Sequence, residues 1–282
     1  MREESIGSRI AEAMPVNPLY VPTLIGSAAL FWLGFVLQKK FHARRGASVL
    51  WLSAVVLACP GLLYVLYYAH MFDDATWFYS LRAVPYTEVL ACGLGLAAGV
   101  VQSWWEPENL GEKMVAPVVL FVLTLVPFVK PLLDPLDMSK LKDRCDGEVC
   151  LQSTFSTCGP ASAATLLRSF GKIASEKELA HDSFTSRGGT EIWYLARAMR
   201  KRGVRTRVVI RPGADTAIPS PAIAGVVLPG NAGHFIAILN TEEQRVTIAD
   251  PLKGKLVVAS ADLPHYYRFT GFFLVLRSPK QR

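Results

Sequence analysis

CLQSTFSTCGPASAATLLRSFG, residues 150 to 171, is the stretch on which the reading of this 282-residue chain turns. Its second half has helical periodicity, with Ala163, Leu166, Leu167 and Phe170 at i, i+3, i+4 and i+7. Cys158-Gly159-Pro160 opens that helix. The thiol therefore sits where unpaired N–H groups and the helix dipole favour a thiolate, the form of cysteine that attacks. Six residues earlier stands Gln152, an amide donor that can form an oxyanion hole with the backbone N–H of Cys158. Downstream, NAGHFIAILN runs from Gly233-His234 into a strand of β-formers. VTIADPLKGKL then puts Asp250 at the end of the next strand, before a Pro-containing turn. Two antiparallel strands on a short connection bring His234 and Asp250 side by side, the base and orienter that a cysteine nucleophile needs.

Singly, each residue has a plainer reading. Cys-Gly-Pro is most often a helix start with a buried thiol, Gly-His a satisfied polar residue at a sheet edge, and Asp-Pro a turn initiator. Taken in order, the set resembles the double-glycine leader peptidases that process bacteriocins, usually fused to the front of ABC exporters. The intervals are six (Gln152 to Cys158), 76 (Cys158 to His234) and sixteen (His234 to Asp250). The middle is similar as well: SEKELA, then GGTEIWYLARAMRKRGVRTRVV, match an acidic-hydrophobic helix, a Gly-Thr turn and a helix ending in Gly before a strand. The resemblance covers about residues 145 to 277. It implies a papain-like α+β domain with Cys158 as nucleophile, His234 as base, Asp250 as orienter and Gln152 as oxyanion donor. It further implies an acyl-enzyme, cleavage after small residues of Gly-Gly type, a peptide or protein substrate and no cofactor. Thr157 stands where this family frequently has Asp, and altered loop contacts rather than altered chemistry are expected from it.

The flanks complete the plan. Strands are expected near 206–211, 222–228, 234–239, 244–249, 255–259 and 271–277, in a twisted antiparallel sheet. Residues 1–139 carry a net charge of −2 and residues 140–282 one of +9. The front part holds four long apolar runs at 20–38, 48–69, 88–105 and 114–133, each near the roughly 20 residues that cross a bilayer. The expectation is an α-helical membrane domain of about four spans over 1–139 and a peptidase domain over 140–282. Glu88 and Lys130 lie near span ends, where side chains can snorkel.

Lys39, Lys40, Arg44 and Arg45 crowd the first loop and place it in the cytoplasm. Both termini then face outside the bacterial cell membrane. Lys130, Lys140, Lys142 and Arg144, after the last run, argue the other way. Cys145 and Cys150 suit a disulfide outside the cytoplasm and free thiols inside it. Cys59 and Cys92 read as small hydrophobes in spans, and no second Cys/His pair at ligand spacing points to a metal. No G-x-x-x-x-G-K-[ST] occurs, so the expectation is a chain without an exporter's ATPase, with a separate exporter left open as a partner. RAMRKRGVRTR, residues 197 to 207, reads mostly as a solvated helix face and loop. Without a basic-aromatic platform it excludes nucleic acid as a partner and leaves the lipid bilayer. Two rivals stand beside the leader-peptidase reading: a cell-wall amide hydrolase, and a non-catalytic peptide-binding or regulatory module on the same fold.

Overall fold

The structure is a computed structural model that describes residues 15–41, 46–104, 109–211 and 218–277; Arg44 and Arg45 of the first-loop cluster lie outside them. The helices of the first half are α1 (Tyr20–Phe41), α2 (Gly46–Tyr68), α3 (Thr76–Arg82), α4 (Leu94–Trp104), α5 (Leu110–Leu125) and α6 (Val129–Leu133). A 3-10 segment, Thr87–Gly93, leads into α4, and another, Val126–Phe128, joins α5 to α6. Backbone proximity divides the chain into two compact units. One comprises Asn17–Ala75 and Pro85–Val129; the other holds Thr76–Val84 together with Lys130–Arg282.

The helical unit is built inside out. The buried residues of α1 are Thr23, Ser27, Gly34 and Gln38, while Ile25 and Trp32 are each 66% exposed. Ser27 Oγ lies 3.0 Å from Thr124 Oγ1 of α5, so a hydroxyl pair links two helices inside the bundle. Small residues let the backbones close up. A Cβ on Gly95 would stand 2.1 Å from the Ser27 carbonyl oxygen, and one on Gly99 2.0 Å from that of Phe31. A small-xxx-small seam inside and large apolar side chains outside is how helices pack where the hydrophobic effect does not drive them together. Among the described residues, three helical stretches are long and apolar enough to cross a membrane: Tyr20–Phe41, Ala47–Tyr68 and Leu110–Leu133. The run expected at 88–105 is a 3-10 segment passing into α4. Glu88 does not snorkel from its start: the side chain is fully buried, in a 3-10 turn where the Tyr64 hydroxyl donates to the Thr87 carbonyl.

In the second unit, β1 (Cys145–Asp146) and β2 (Val149–Cys150) form a small hairpin in which Cys145 and Cys150 face each other and are disulfide-bonded. Three helices follow: α7 (Cys158–Ser169), α8 (Glu176–Asp182) and α9 (Ile192–Lys201). The strands are β3 (Arg205–Ile210), β4 (Ala222–Val227), β5 (Gly233–Thr241), β6 (Arg245–Asp250) and β7 (Gly254–Ala259). After the short α10 (Leu263–Tyr266) comes β8 (Arg268–Arg277), which begins three residues before the strand expected there. All six pair antiparallel in the order β3-β8-β4-β5-β6-β7. Alternating apolar residues of these strands, among them Ala224, Ile236, Ile248 and Phe273, make one core cluster that also takes in Tyr267.

Helix α7 is buried along its first ten residues, Cys158 through Leu167. Its run of Ala, Ser and Thr permits this, because short side chains let a helix lie against neighbours on every side. Helix α8 is stopped at its front by a capping box: Ser175 Oγ accepts from Glu178 N–H and the Glu178 carboxylate accepts from Ser175 N–H, both at 3.0 Å.

The basic run at 197–207 is not simply solvated. Arg197 Nη2 donates to the carbonyls of Arg82 (2.5 Å) and Val84 (2.7 Å), and Arg200 Nη1 donates to Ala83 O at 2.9 Å. These are the carbonyls at the end of α3, which lack intrahelical partners and attract cations. Phe78 and Tyr79 of α3 are buried, with the Tyr79 ring 5.1 Å from that of Phe272 and the Arg82 guanidinium 4.7 Å from the Trp193 ring. The loop expected between the second and third apolar runs is thus a helix bound into the sheet-bearing unit.

Candidate active site

Four local devices bring the site together. The β5–β6 hairpin carries His234 at the start of one strand and Asp250 at the end of the other. Register pairs Ala237 with Ala249, so the two side chains meet diagonally at the open end of the hairpin. His234 Nε2 lies 2.9 Å from Asp250 Oδ1; the carboxylate can only accept, so Nε2 carries the proton. Cys158 is the other hydrogen-bond partner of the imidazole, which leaves Nδ1 for the sulfur. Ser162 Oγ donates to the Phe235 carbonyl at 3.1 Å, tying the first turns of α7 to the strand beside His234. Gly159 lets the helix come in: a Cβ there would already be 3.3 Å from Leu195 Cδ2 and 3.5 Å from the Phe235 ring.

Asp250 is fully buried and held by three donors. Besides His234, Leu252 N–H reaches Oδ1 at 2.9 Å and the Tyr267 hydroxyl reaches Oδ2 at 2.7 Å. Burial works against its charge, but these hydrogen bonds and the facing imidazole outweigh it and hold the carboxyl below its ordinary range. For His234, burial pulls the value down, and the Asp250 and Cys158 hydrogen bonds with their charges prevail, raising it to about 9. Desolvation and the carboxylate together push the Tyr267 phenol far up, so it stays a donor. Such a set can hold a charged imidazolium against a buried carboxylate beside the thiol. Tyr267 carries no sequence signal: it is one of two adjacent tyrosines at the end of α10, and only the tertiary fold selects it.

Gln152 is buried as well, and its surroundings fix its orientation. Its backbone N–H donates to Pro251 O at 3.0 Å, stitching it to the residue after Asp250. Its Nε2 donates to Thr154 O at 2.9 Å, which leaves one amide proton uncommitted and the buried Oε1 without a partner. The same Thr154 carbonyl accepts from Thr157 Oγ1 at 3.0 Å, and Thr157 Oγ1 accepts from Thr154 N–H at 3.1 Å. Thr157 therefore closes the 152–157 loop and makes no side-chain cap on α7. With no side chain capping it, the N-terminus of α7 keeps unpaired N–H groups for a ligand oxygen. No cluster of metal-ligating side chains occurs among the described residues.

A buried thiol, imidazole and carboxylate stand in series, an arrangement of the kind cysteine hydrolases use. Residues 147–281 match the Peptidase C39 family, and the chain belongs to that family of cysteine peptidases. An uncharacterised protein of Methanothermobacter thermautotrophicus is 34% identical over 134 residues, which are 48% of this chain and 91% of that protein. The lactococcin-G-processing and transport ATP-binding protein LagD of Lactococcus lactis is 26% identical over 113 residues, 39% of this chain and 16% of LagD. Among solved structures, a double glycine motif protease from an AMS/PCAT transporter, in complex with the leader peptide, is 22% identical. The match covers 50% of this chain and 96% of that one with a TM-score of 0.40.

Proposed function

We propose that this chain is a membrane-anchored, papain-like cysteine endopeptidase that cleaves a peptide or leader after small residues of Gly-Gly type. The observation that carries the reading is His234 held between Cys158 and a fully buried Asp250. Cys158 attacks the scissile carbonyl while the Nδ1 proton of His234 passes to the departing amine. Water, deprotonated by the imidazole, then hydrolyses the acyl-enzyme, and Asp250 keeps Nε2–H oriented through both steps. The oxyanion is met by the Cys158 backbone N–H and the spare Nε2 proton of Gln152. Phe155, 66% exposed, and Leu252, 47% exposed, sit on the loops carrying Gln152 and Asp250 and offer apolar contact to a bound peptide. A separate exporter as partner is consistent with the likeness to LagD. Comparing the secreted and membrane-associated peptides of wild-type and Cys158→Ala cells tests the reading: a peptide that loses a leader only in the wild type is the expected result. Identical peptide profiles would sink it.

Gln152→Ala is expected to lower kcat by about 10²-fold with little change in KM, because the bond it supplies forms chiefly in the transition state. A raised KM at normal kcat would recast Gln152 as a binding residue.

We further propose four spans, with residues 1–139 as the anchor and 140–282 as the catalytic domain. The exterior of exposed Ile, Leu, Val and Trp on α1, α2 and α5 suits lipid. Parity supports this number of spans. Thr76–Val84 precedes the last two apolar runs and Lys130–Arg282 follows them, yet both belong to one folded unit and must lie on one side of the bilayer. If Leu110–Leu133 crosses, Thr87–Trp104 must cross too. Its seven 3-10 residues and eleven α residues span about 30 Å, the thickness of the hydrocarbon core. Lys39 and Lys40 at the end of α1 then favour a cytoplasmic first loop and an extracytoplasmic peptidase. Lys130, which argues otherwise by charge alone, is paired with Glu191 at 2.5 Å. The Cys145–Cys150 disulfide is in keeping with an oxidising compartment. An alkaline phosphatase fused at the C-terminus should be active and a fluorescent reporter there silent; the opposite pattern would reverse the topology.

A further inference from the structure

Glu176 is 1% exposed, stands at the start of α8 and plays no part in the chemistry above. Its carboxylate faces the residue after Gln152. Oε1 accepts from Ser153 N–H at 2.7 Å and Oε2 accepts from Ser153 Oγ at 2.5 Å. Ser153 Oγ in turn accepts from Lys142 N–H at 2.8 Å, so the serine is fixed from both sides. Together with the Gln152 N–H bond to Pro251, this pins the backbone amides on both sides of the Gln152 Cα. One amide is anchored to the turn after Asp250 and the other to α8. Burying a carboxylate is costly unless its oxygens are satisfied. Here the satisfaction comes from two donors of one residue and from the N-terminal end of α8, where negative charge is favoured. A fold needing only an apolar contact at this place would not bury a charge to make it.

We infer that Glu176 is a positioning residue for the oxyanion donor: it fixes the Gln152–Ser153 segment so that the spare Nε2 proton is aimed before substrate arrives. The inference rests on the reading of Gln152 given above and names a residue outside the four that the sequence pattern marks. A misplaced donor weakens the transition state more than substrate binding, and a carboxylate does what an amide cannot, since both of its oxygens accept. In Glu176→Gln one arm becomes a donor and meets a serine hydroxyl already held by Lys142 N–H.

The test uses full-length protein in detergent and a fluorogenic peptide ending in Gly-Gly-aminomethylcoumarin. Glu176→Gln should lower kcat about tenfold, less than the roughly hundredfold or more of deleting a donor outright, with KM nearly unchanged. Alkylation of Cys158 by iodoacetamide is a displacement that forms no oxyanion, so its rate should stay at the wild-type value. In the Gln152→Ala background, Glu176→Gln should cost nothing further in kcat, because the group it aims is gone. Unchanged kcat, a loss that multiplies with that of Gln152→Ala, or alkylation slowed in step with cleavage would each overturn the positioning role. Should Glu176→Gln fail to fold, Ser153→Ala removes one of the two bonds and should show the same split at smaller size; equal kcat would overturn the role. Failure of the wild type to cleave the peptide would count against the peptidase reading instead. Acylation of Cys158 by p-nitrophenyl acetate, which does pass through an oxyanion, then decides the inference: slower in Glu176→Gln upholds it, equal rates overturn it.

Discussion

Cys158→Ala and His234→Ala are each expected to reduce peptide cleavage more than about 10⁴-fold while the protein stays folded and in the membrane. In the proposed mechanism the thiol supplies the electron pair that makes the acyl-enzyme. The imidazole meets both the sulfur and the Asp250 carboxylate. Cys158 lies at the N-terminus of α7 and His234 at the start of β5, so alanine at either position leaves the backbone hydrogen bonds of helix and sheet in place; His234→Ala also gives up the bond to Asp250 and should melt somewhat lower than Cys158→Ala. The two losses should not multiply, since the pair acts as a unit, and the double variant should resemble either single one. The measurement is turnover of a Gly-Gly peptide beside a thermal melt, with iodoacetamide labelling of the wild-type thiol as a control. Undiminished turnover in either variant would overturn the assignment. A labelled, folded wild type that turns over no peptide would favour the non-catalytic module.

Asp250→Asn is expected to keep more activity than either of those variants and to change its pH dependence. The wild-type imidazole is held protonated up to about 9, against the 6.5 of a free histidine. Cleavage should therefore fall on an alkaline limb near 9, where the proton needed by the leaving amine is lost. The signs for stability follow from the same shifts. The His234 shift is upward, so its stabilising contribution is complete below pH 6.5 and disappears as pH rises through about 9. The Asp250 shift is downward, so its contribution is present above its ordinary value of about 4 and disappears as pH falls below it. An asparagine can still accept from His234 and Leu252 and can offer its amide to the Tyr267 oxygen. Geometry is largely kept and the charge is lost. The alkaline limb should then move toward 6.5, with kcat/KM down by about 10²–10⁴-fold at neutral pH. An unmoved limb would mean that Asp250 does not set the imidazole's protonation.

The chain order of amino acids determined a good deal of this protein by itself. Runs of β-formers pointed to the strands of the sheet, Gly-Pro after Cys158 to the start of α7, and SEKELA, by its resemblance, to the helix that is α8. Four residues in a fixed order also pointed at one site. These signals are local, and local propensity survives whatever the rest of the chain does. Apolar length likewise marked the helices of the front part, but it could not separate α4, with its 3-10 entry, from a straight span. Nor could it show that Thr76–Arg82 folds with the peptidase unit. That depends on the carbonyls at the end of α3 meeting Arg197 and Arg200, more than a hundred residues away.

Only the tertiary structure decided which groups hold the site in place. The insertion of β8 between β3 and β4 is a long-range pairing with no trace in the spacing. Tyr267, which carries the third bond to Asp250, comes from just before that strand. Glu176 reads in the sequence as one more acid at a helix start, and burial against Ser153 is what singles it out. The reason is general: a reacting side chain is constrained by its own chemistry and so by its residue type, whereas the groups that orient it need only be near, and nearness is a property of the folded chain.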